Sequence, residues 1–245
     1  MSDVLASLDM YCWRENRHEW QYLWKAIRGE LVKLDIPAPL FLTFGRPIEE
    51  VWLDPNLLIG HTCGWPYVSK LRDKVSLIGR FNFGLEDCQP GHYNSVFIVS
   101  KNSKLSSMDE LSDNNSSIAV SGTNSQSGFR SLREVFENIE PSERFIVTGS
   151  HRDSICAVAN GEAELAAIDA ITWELAKLYE PMVDDVKVIG RSLPKPGLPL
   201  ITANTNRELV PQLFDAVRSA VDVVGEPLGI QNFLPAHDND YEVLL

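Results

Sequence analysis

The sequence has few basic residues and no long apolar run, and each shortage excludes a class of protein. Lysine and arginine number 22 against 34 aspartates and glutamates, which gives a formal net charge of −12. A nucleic-acid-binding protein needs a basic face that releases counterions from phosphates, so this balance argues against one. It also argues against docking on an anionic membrane surface. No run approaches the roughly 18 apolar residues of a membrane helix, and we therefore expect no membrane insertion.

Cysteine is also scarce, and the four cysteines are spaced widely and unevenly at Cys12, Cys63, Cys88 and Cys156. The spacing contains no CxxC pair, so it predicts neither a metal site nor a disulfide framework, and we expect no cofactor. The N-terminal segment lacks the basic region and the apolar run of an export signal. As written, the sequence predicts a cytoplasmic protein with reduced thiols, or a periplasmic protein if a leader has been removed.

Short apolar runs of strand length alternate with longer stretches in which apolar residues recur every three or four positions. The clearest helical stretches run from Trp20 to Leu34, from Phe129 to Ile139 and from Leu209 to Val224. This alternation predicts an α/β fold in which mainly parallel sheets are flanked by helices. The predicted strands are 6–11, 40–44, 57–62, 75–79, 95–100, 117–121, 144–148, 165–169 and 186–190.

Two extended apolar segments, 95–100 and 199–203, each leave one α/β region and enter another. If both are crossovers, residues 1–96 and 201–245 form a first lobe and residues 97–200 form a second. The default ligand site is then a cleft between the lobes, and the lobes would close by a hinge motion about these two segments.

A loop rich in hydroxyl and amide groups precedes the second of these helices. It contains Asn124, Ser125, Ser127 and Gly128. Unpaired N–H groups and the positive end of the helix dipole would hold an anion there, and the alternative is an ordinary serine cap. The loop lacks the Gly-Lys-Ser/Thr of a P-loop, and Gln126 occupies the position where a nucleophile elbow would need serine.

Two candidate residues follow in the second lobe. His151 lies near a predicted helix N-terminus, where it either donates to an anionic ligand or satisfies a backbone carbonyl. Asp169 ends a buried strand, and ligands of open parallel sheets bind at such strand ends. The competing interpretation makes Asp169 the N-cap of the next helix, which leaves one carboxylate oxygen for a ligand.

In the first lobe, Thr62 lies with His61 and Cys63 between a predicted strand and a helix. A thiolate at Cys63 activated by His61 is an alternative function, but no third group that would orient the histidine can be named. Tyr11 ends the first predicted strand and Tyr93 precedes the first crossover. Both tyrosines either wall the cleft or pack in the core.

Taken in order, five segments resemble the phosphate/phosphite/phosphonate substrate-binding proteins of ABC importers. They are Leu57 to Tyr67, His92 to Val99, Asn124 to Phe129, His151 to Asp169 and Pro196 to Ile201. The similarity spans roughly residues 5–225. It implies a type II periplasmic-binding-protein fold and a small anionic ligand of the phosphate, phosphite or phosphonate class.

The resemblance also implies roles for single residues. Ser125, Ser127 and Gly128 match the loop that holds phosphonate or phosphate oxygens, and Asp169 matches an acid near the ligand's amino or second group. Less closely matched cleft positions are Tyr11, Thr62, Tyr93 and His151. An ABC permease or a regulatory protein would be the partner. The alternatives are a ligand-sensing protein, or a cytosolic enzyme on the same fold that acts on a small carboxylated or phosphorylated metabolite with Asp169 and His151 as acid–base groups.

Overall fold

The computed structural model describes residues 4–110, 116–136 and 143–245. The chain divides into two compact units. Unit 1 consists of Met1–His92 and Pro196–Leu245, and unit 2 consists of Tyr93–Lys195. Within the described ranges, no helix is both long enough and apolar enough to cross a membrane.

Within these ranges the chain forms twelve strands. They are β1 (Leu5–Ser7), β2 (Leu57–His61), β3 (Val75–Asn82), β4 (His92–Tyr93), β5 (Ser95–Ser100), β6 (Ile118–Val120), β7 (Phe145–Val147), β8 (Leu165–Asp169), β9 (Val186–Arg191), β10 (Lys195–Pro196), β11 (Pro199–Ala203) and β12 (Asn232–Leu234).

The α-helices of the described residues are α1 (Arg17–Lys33), α2 (Ile48–Trp52), α3 (Gly64–Pro66), α4 (His151–Ala159), α5 (Ala170–Tyr179) and α6 (Val210–Val224). A turn of π-helix, Tyr67–Leu71, continues α3. Short 3-10 helices cover Asp9–Tyr11, Met108–Glu110, Arg130–Glu134, Pro181–Asp185, Asn204–Leu209, Glu226–Leu228 and Asp238–Leu244.

The sheet of unit 1 has the strand order β1-β2-β11-β3-β12. β1 and β2 are parallel, whereas β11 is antiparallel to both of its neighbours and β12 is antiparallel to β3. Helices α1 and α6 pack against each other. The apolar positions of α1 recur every three or four residues, so one face of the helix is buried. That face consists of Trp20, Leu23, Trp24, Ile27 and Leu31.

The sheet of unit 2 has the order β7-β6-β8-β5-β9. β6 is parallel to β7 and β8, and β5 is antiparallel to β8 and β9. The core of the unit joins side chains of this sheet, such as Phe97 and Ile118, to Phe129 and Leu132 of the segment after β6. In this sheet β8 lies between β6 and β5, so the ends of β6 and β8 and the start of β5 are at the same edge. The loop described below follows β6 at that edge.

The chain passes between the units at β4 and β10, which pair as a two-stranded sheet. The sequence placed the crossovers in segments 95–100 and 199–203. In the structure these segments are β5 and β11, and each lies inside the sheet of one unit, bonded to strands on both sides. The divisions of the chain fall earlier, after His92 and after Lys195.

Three sequence predictions of local structure differ from what is observed. Residues 40–44 form no strand. The segment is instead tied to α1 by the Trp24 indole, which donates to the Pro39 carbonyl, and it leaves Leu40 62% and Phe41 66% exposed. The predicted strand 6–11 ends at Ser7, and a 3-10 turn follows it. The predicted helix from Phe129 is a 3-10 helix, Arg130–Glu134, and its last predicted residue, Ile139, lies outside the described residues.

Candidate functional site

The loop between β6 and the 3-10 helix is closed by its own polar groups. The Gly128 N–H donates to Ser125 Oγ over 2.9 Å, and the Ser125 carbonyl accepts from the N–H groups of Phe129 and Arg130. In the described part of the chain, neither the Gln126 N–H nor the Ser127 N–H donates to a backbone carbonyl. Two backbone donors and the Ser125 hydroxyl proton are therefore available to an anion. We name residues 121–128 the anion loop.

The helix after this loop is shorter than the sequence predicted. A 3-10 helix of five residues, Arg130–Glu134, carries a smaller dipole than a regular α-helix of three turns would. The capacity of the loop for an anion therefore depends on individual N–H and O–H donors. Asn124, which the sequence places in the loop, is exposed.

Ser127 and His151 are brought together from different elements of unit 2. Ser127 Oγ lies 2.9 Å from His151 Nε2. His151 is the first residue of α4, and the preceding Ser150 caps that helix by accepting from the Asp153 N–H. The cap fixes where α4 begins and so places the imidazole against the anion loop.

The His151 ring is neutral near pH 7. Desolvation lowers its pKa to about 4, and the backbone carbonyl of Ala167 opposes this shift only in part. A neutral imidazole has one donor and one acceptor nitrogen, so it adds hydrogen-bonding capacity without adding charge.

Gly128 marks the point where the polar groups converge. A Cβ at this position would lie 2.6 Å from Ser121 Oγ, 3.0 Å from Ser125 Oγ and 3.3 Å from His151 Cε1. Only a residue without a side chain leaves these groups where they are. Ser121 was not predicted as a site residue. Its position as the first residue after β6 was the available signal.

The Ser127 backbone is held from two sides. Its carbonyl accepts from Ser95 Oγ at 3.0 Å and from Ser131 Oγ at 2.6 Å. Ser95 begins β5, and its own N–H donates to Ser192 Oγ at 2.9 Å. Ser95 and Ser131 were not predicted as site residues. Ser95 lies 32 residues from Ser127 in the chain and Ser131 lies 4 residues from it, and no sequence pattern links either serine to the loop.

Asp169 ends β8 and caps α5. Its Oδ1 accepts from the Ile171 N–H at 2.8 Å and from the Thr172 N–H at 3.1 Å. In the ladder between β5 and β8, Asp169 pairs with Ser95. Of the two interpretations from sequence, the structure shows the cap. Because Ser95 also bonds the anion loop, this register ties Asp169 to the strand end that holds Ser127.

Three other predicted residues are buried side chains. Thr62 and Tyr11 belong to unit 1 and Tyr93 begins unit 2, and they are 0%, 2% and 2% exposed. Tyr11 packs edge-on against His61 with ring centroids 5.5 Å apart. This burial is compatible with both alternatives for the two tyrosines, core packing and ligand contact.

His61 is not hydrogen-bonded to Cys63 among the described residues. Both of its ring nitrogens are buried without a hydrogen-bond partner among the described residues. Desolvation lowers the pKa of the ring to about 3, and the Leu198 backbone opposes the shift only weakly. The ring is packed edge-on against Tyr11 and Phe81, so the imidazole is part of an aromatic cluster.

A separate cavity of about 910 Å³ lies in unit 1. Its lining includes Tyr67, Arg72, Asn204 and Arg207 and none of the residues predicted to bind ligand. Among the described residues, no group of three or more histidine, cysteine, aspartate and glutamate side chains is arranged to hold a metal ion.

Solved structures with the same fold come from several bacteria. The binding-protein component of an ABC phosphonate transporter from Pseudomonas aeruginosa is 21% identical, with a TM-score of 0.70 over 91% of this chain and 79% of that chain. PhnD1 from Prochlorococcus marinus in complex with methylphosphonate is 16% identical, with a TM-score of 0.72 over 95% and 92%. A Xanthomonas citri protein, XAC2383, bound to ATP is 12% identical, with a TM-score of 0.70 over 94% and 91%.

These similarities confirm the predicted type II periplasmic-binding-protein fold. The sequence predicted mainly parallel sheets, whereas the sheet of each unit is mixed, because β11 in unit 1 and β5 in unit 2 run antiparallel to both of their neighbours. No curated protein matches the chain by sequence. The family model described as "ABC transporter, phosphonate, periplasmic substrate-binding protein" matches residues 59–241, which is more than half of the chain and includes the anion loop, His151 and Asp169. The protein therefore belongs to the phosphonate-binding family of ABC-transporter substrate-binding proteins.

Proposed function

We propose that the protein binds an oxyanion of the phosphonate, phosphite or phosphate class at the anion loop, as the substrate-binding component of an ABC transporter. The carrying observation is the loop itself, in which two backbone N–H groups and the Ser125 hydroxyl are available as donors beside the Ser127–His151 hydrogen bond. Membership of the family and the methylphosphonate complex of PhnD1 support this ligand class.

The net charge of −12 does not prevent anion binding. A charge about 20 Å away in water contributes roughly 0.2 kcal/mol before screening, and salt reduces that further. A hydrogen bond to a charged group contributes about 1.5–3 kcal/mol, so three donors in direct contact outweigh the distant carboxylates. The net charge slows association instead.

Asp169 is proposed to bind an amino group of the ligand, which is the role that the resemblance implies for this acid. Its Oδ1 carries both cap hydrogen bonds of α5. Contributions of Asn124, Tyr11, Thr62 and Tyr93 to binding stay predictions, and so does closure of the two units on the ligand. Small-angle scattering with and without methylphosphonate tests the closure.

The partner and the compartment also belong to this proposal. A permease of the ABC transporter is the partner that the family implies, and the family acts in the periplasm. The sequence predicted a cytoplasmic location with four reduced cysteines, and none of the four is in a disulfide in the described part of the chain. Fractionation of the source cells, with titration of thiols in the denatured protein, decides between the two compartments.

Isothermal calorimetry with methylphosphonate tests the proposed site. Ser127→Ala and Ser125→Ala should each weaken binding by about 1–3 kcal/mol, because each removes a polar group of the anion loop. Ser106→Ala is the matched control, since Ser106 bonds Glu110 on the surface of the same unit. Unchanged affinity in both loop variants would overturn the site. Absence of binding to phosphonate, phosphite and phosphate would overturn the function, and turnover of the probe would indicate the enzyme alternative.

A further inference from the structure

Strand β3 extends past the end of its neighbour β12, so part of one edge of β3 has no partner. β12 pairs only with residues 80–82 of β3, whereas β11 pairs with the opposite edge along residues 75–80. β12 ends at Leu234, where Pro235 follows, and proline has no N–H to donate to a ladder. In the described part of the chain, residues 75–79 are therefore paired with a strand on one side only.

The cavity of about 910 Å³ in unit 1 lies beside this free edge, since Val75, Ser76 and Leu77 line it. Successive side chains of a strand point to opposite faces of the sheet, and the two faces differ here. Val75 and Leu77 belong to an apolar cluster with Tyr67 and Ala236, which also line the cavity. We name the space along the free edge the edge groove, and one of its walls is apolar.

The other wall of the edge groove is polar and is held by side-chain hydrogen bonds. Ser76 Oγ donates to Asn204 Oδ1 at 2.8 Å, and Asn204 Nδ2 donates to the Asp73 carbonyl at 3.1 Å. Arg207 lies on the same 3-10 helix as Asn204 and also lines the cavity. It is exposed, and its guanidinium forms no hydrogen bond or ion pair with the described residues. The polar wall therefore presents an unpaired positive charge.

The apolar wall is held in place by ion pairs. Tyr67 Oη donates to the Asp238 carboxylate, and Arg72 pairs with Asp238 and Glu242. The charge of Arg72 is thus neutralised within the protein. The Asp73 carboxylate, just before β3, forms no ion pair with the described residues. Walls that are already fixed lower the cost of ordering a bound segment.

The free edge directs backbone groups into the edge groove. In an antiparallel pair, alternate residues direct their N–H and C=O groups to the partner strand, and the residues between them direct theirs to the other side. Val75, Ser76 and Leu77 each pair with β11 in regular order, so part of their backbone groups face the groove. The stretch 75–78 contains no charge and no proline, the residues that commonly protect an edge strand from pairing. An extended peptide satisfies such an edge.

We propose that the edge groove binds an extended peptide, which adds a strand to β3. Alternate side chains of the peptide are apolar and face Tyr67 and Ala236. The positions between them are polar and include one acidic side chain, which pairs with Arg207, whereas Asp73 disfavours a run of acids. The groove belongs to unit 1 and shares no residue with the anion loop of unit 2, so this inference goes beyond the proposed function.

Fluorescence polarisation on the full chain tests the added strand with a labelled hexapeptide, Val-Thr-Val-Glu-Val-Thr, blocked at both ends. We expect saturable binding. Two further peptides carry N-methyl groups on the first, third and fifth or on the second, fourth and sixth backbone nitrogens. Only one of these sets faces β3 in an added strand, so one peptide should bind about 10-fold more weakly and the other about as before. Equal effects of the two sets, or no saturable binding of the parent peptide, would overturn the proposal.

Arg207→Glu tests the polar wall. The variant should bind the hexapeptide about 3- to 10-fold more weakly and should prefer the counterpart with lysine in place of glutamate, because repulsion replaces an exposed ion pair. Arg218→Glu is the matched control, since it makes the same change in net charge at an exposed arginine of α6, which pairs with Asp215. Equal losses in the two variants, or no loss in either, would contradict an acidic contact at Arg207.

Sedimentation equilibrium of the peptide-free chain tests whether a second copy occupies the groove instead. We expect a monomer, which leaves the edge of β3 open to a peptide. A dimer that the hexapeptide dissociates would show that the β3 edges of two copies pair with each other, and would overturn a peptide as the occupant. Calorimetry with methylphosphonate reports the anion loop separately, so either result leaves the proposed function to its own test.

Discussion

The Ser95 hydroxyl donates to the Ser127 carbonyl over 3.0 Å, which joins the first residue of β5 to the anion loop. Ser95 also pairs with Asp169 in the sheet. The position of the loop is thus set by a strand that is held on both edges, and the same strand end positions the carboxylate that caps α5.

Ser95→Ala should weaken methylphosphonate binding by about 0.5–1.5 kcal/mol, because it removes one hydrogen bond that positions Ser127. The Ser127 carbonyl keeps its bond from Ser131, so the free energy of unfolding should change by no more than about the same amount. Calorimetry and denaturant unfolding measure the two effects. Binding that is unaffected in a variant with lower stability would show that the bond supports the fold but not the loop.

Gly128→Ala should reduce the affinity for methylphosphonate by at least about tenfold. The new Cβ would lie 2.6 Å from Ser121 Oγ and 3.0 Å from Ser125 Oγ, so these hydroxyls or the backbone must move. Gly29→Ala is the control, since a Cβ in that position of α1 meets nothing within 4 Å. It should raise stability by about 0.5–1 kcal/mol and leave binding unchanged. Normal affinity in Gly128→Ala would remove Gly128 from the site.

Asp169→Asn separates the cap from the proposed ligand contact. Asparagine caps helices about as well as aspartate, so stability should change by less than about 1 kcal/mol. The affinity for 2-aminoethylphosphonate should fall more than the affinity for methylphosphonate, because only the first probe has an amino group for the carboxylate. Calorimetry with both probes measures the ratio. Equal losses for the two probes would contradict an amine contact at this residue.

His61 should make the protein less stable in acid. Its folded-state pKa of about 3 lies below the ordinary value of 6.5, so the unfolded chain takes up the proton first. The stability contribution is therefore full above about pH 6.5 and is lost as the pH falls towards 3. His61→Phe should flatten this loss, by up to a few kcal/mol, whereas the exposed His18→Gln should not. Trp20 is 6.4 Å from the His61 ring, so tryptophan fluorescence during denaturant unfolding at several pH values reports the transition.

Strands buried on both faces were the elements most predictable from sequence. β5 and β8 have the predicted bounds, since every residue from Ser95 to Val99 and from Leu165 to Asp169 is buried and continuous apolar runs mark such strands. The apolar run 40–44 was a wrong strand prediction. Its residues include exposed Leu40 and Phe41, and its backbone makes single hydrogen bonds, from Leu42 to Gln21 of α1 and from Thr43 to the Ala6 carbonyl of β1, instead of a strand ladder.

The candidate site was predictable only in part. Hydroxyls that cluster within a few positions, such as Ser125 and Ser127, give a local signal. Ser95 gave none, because its bond to the loop depends on the register between β5 and β8 and on the path of the chain after β6. The antiparallel directions of β5 and β11 could not be predicted from the sequence either, since the direction of a strand relative to its sheet depends on which strands it pairs with.

The position of β11 has a consequence for synthesis on the ribosome. β11 lies between β2 and β3, yet it follows the whole of unit 2 in the chain. Unit 2 is one continuous segment and has all of its strands once Lys195 has emerged, whereas β2 and β3 have no partner joining them until Ala203 is made. The inserted unit is therefore the first that can complete its fold, and the earlier-made half of unit 1 must wait with exposed strand edges.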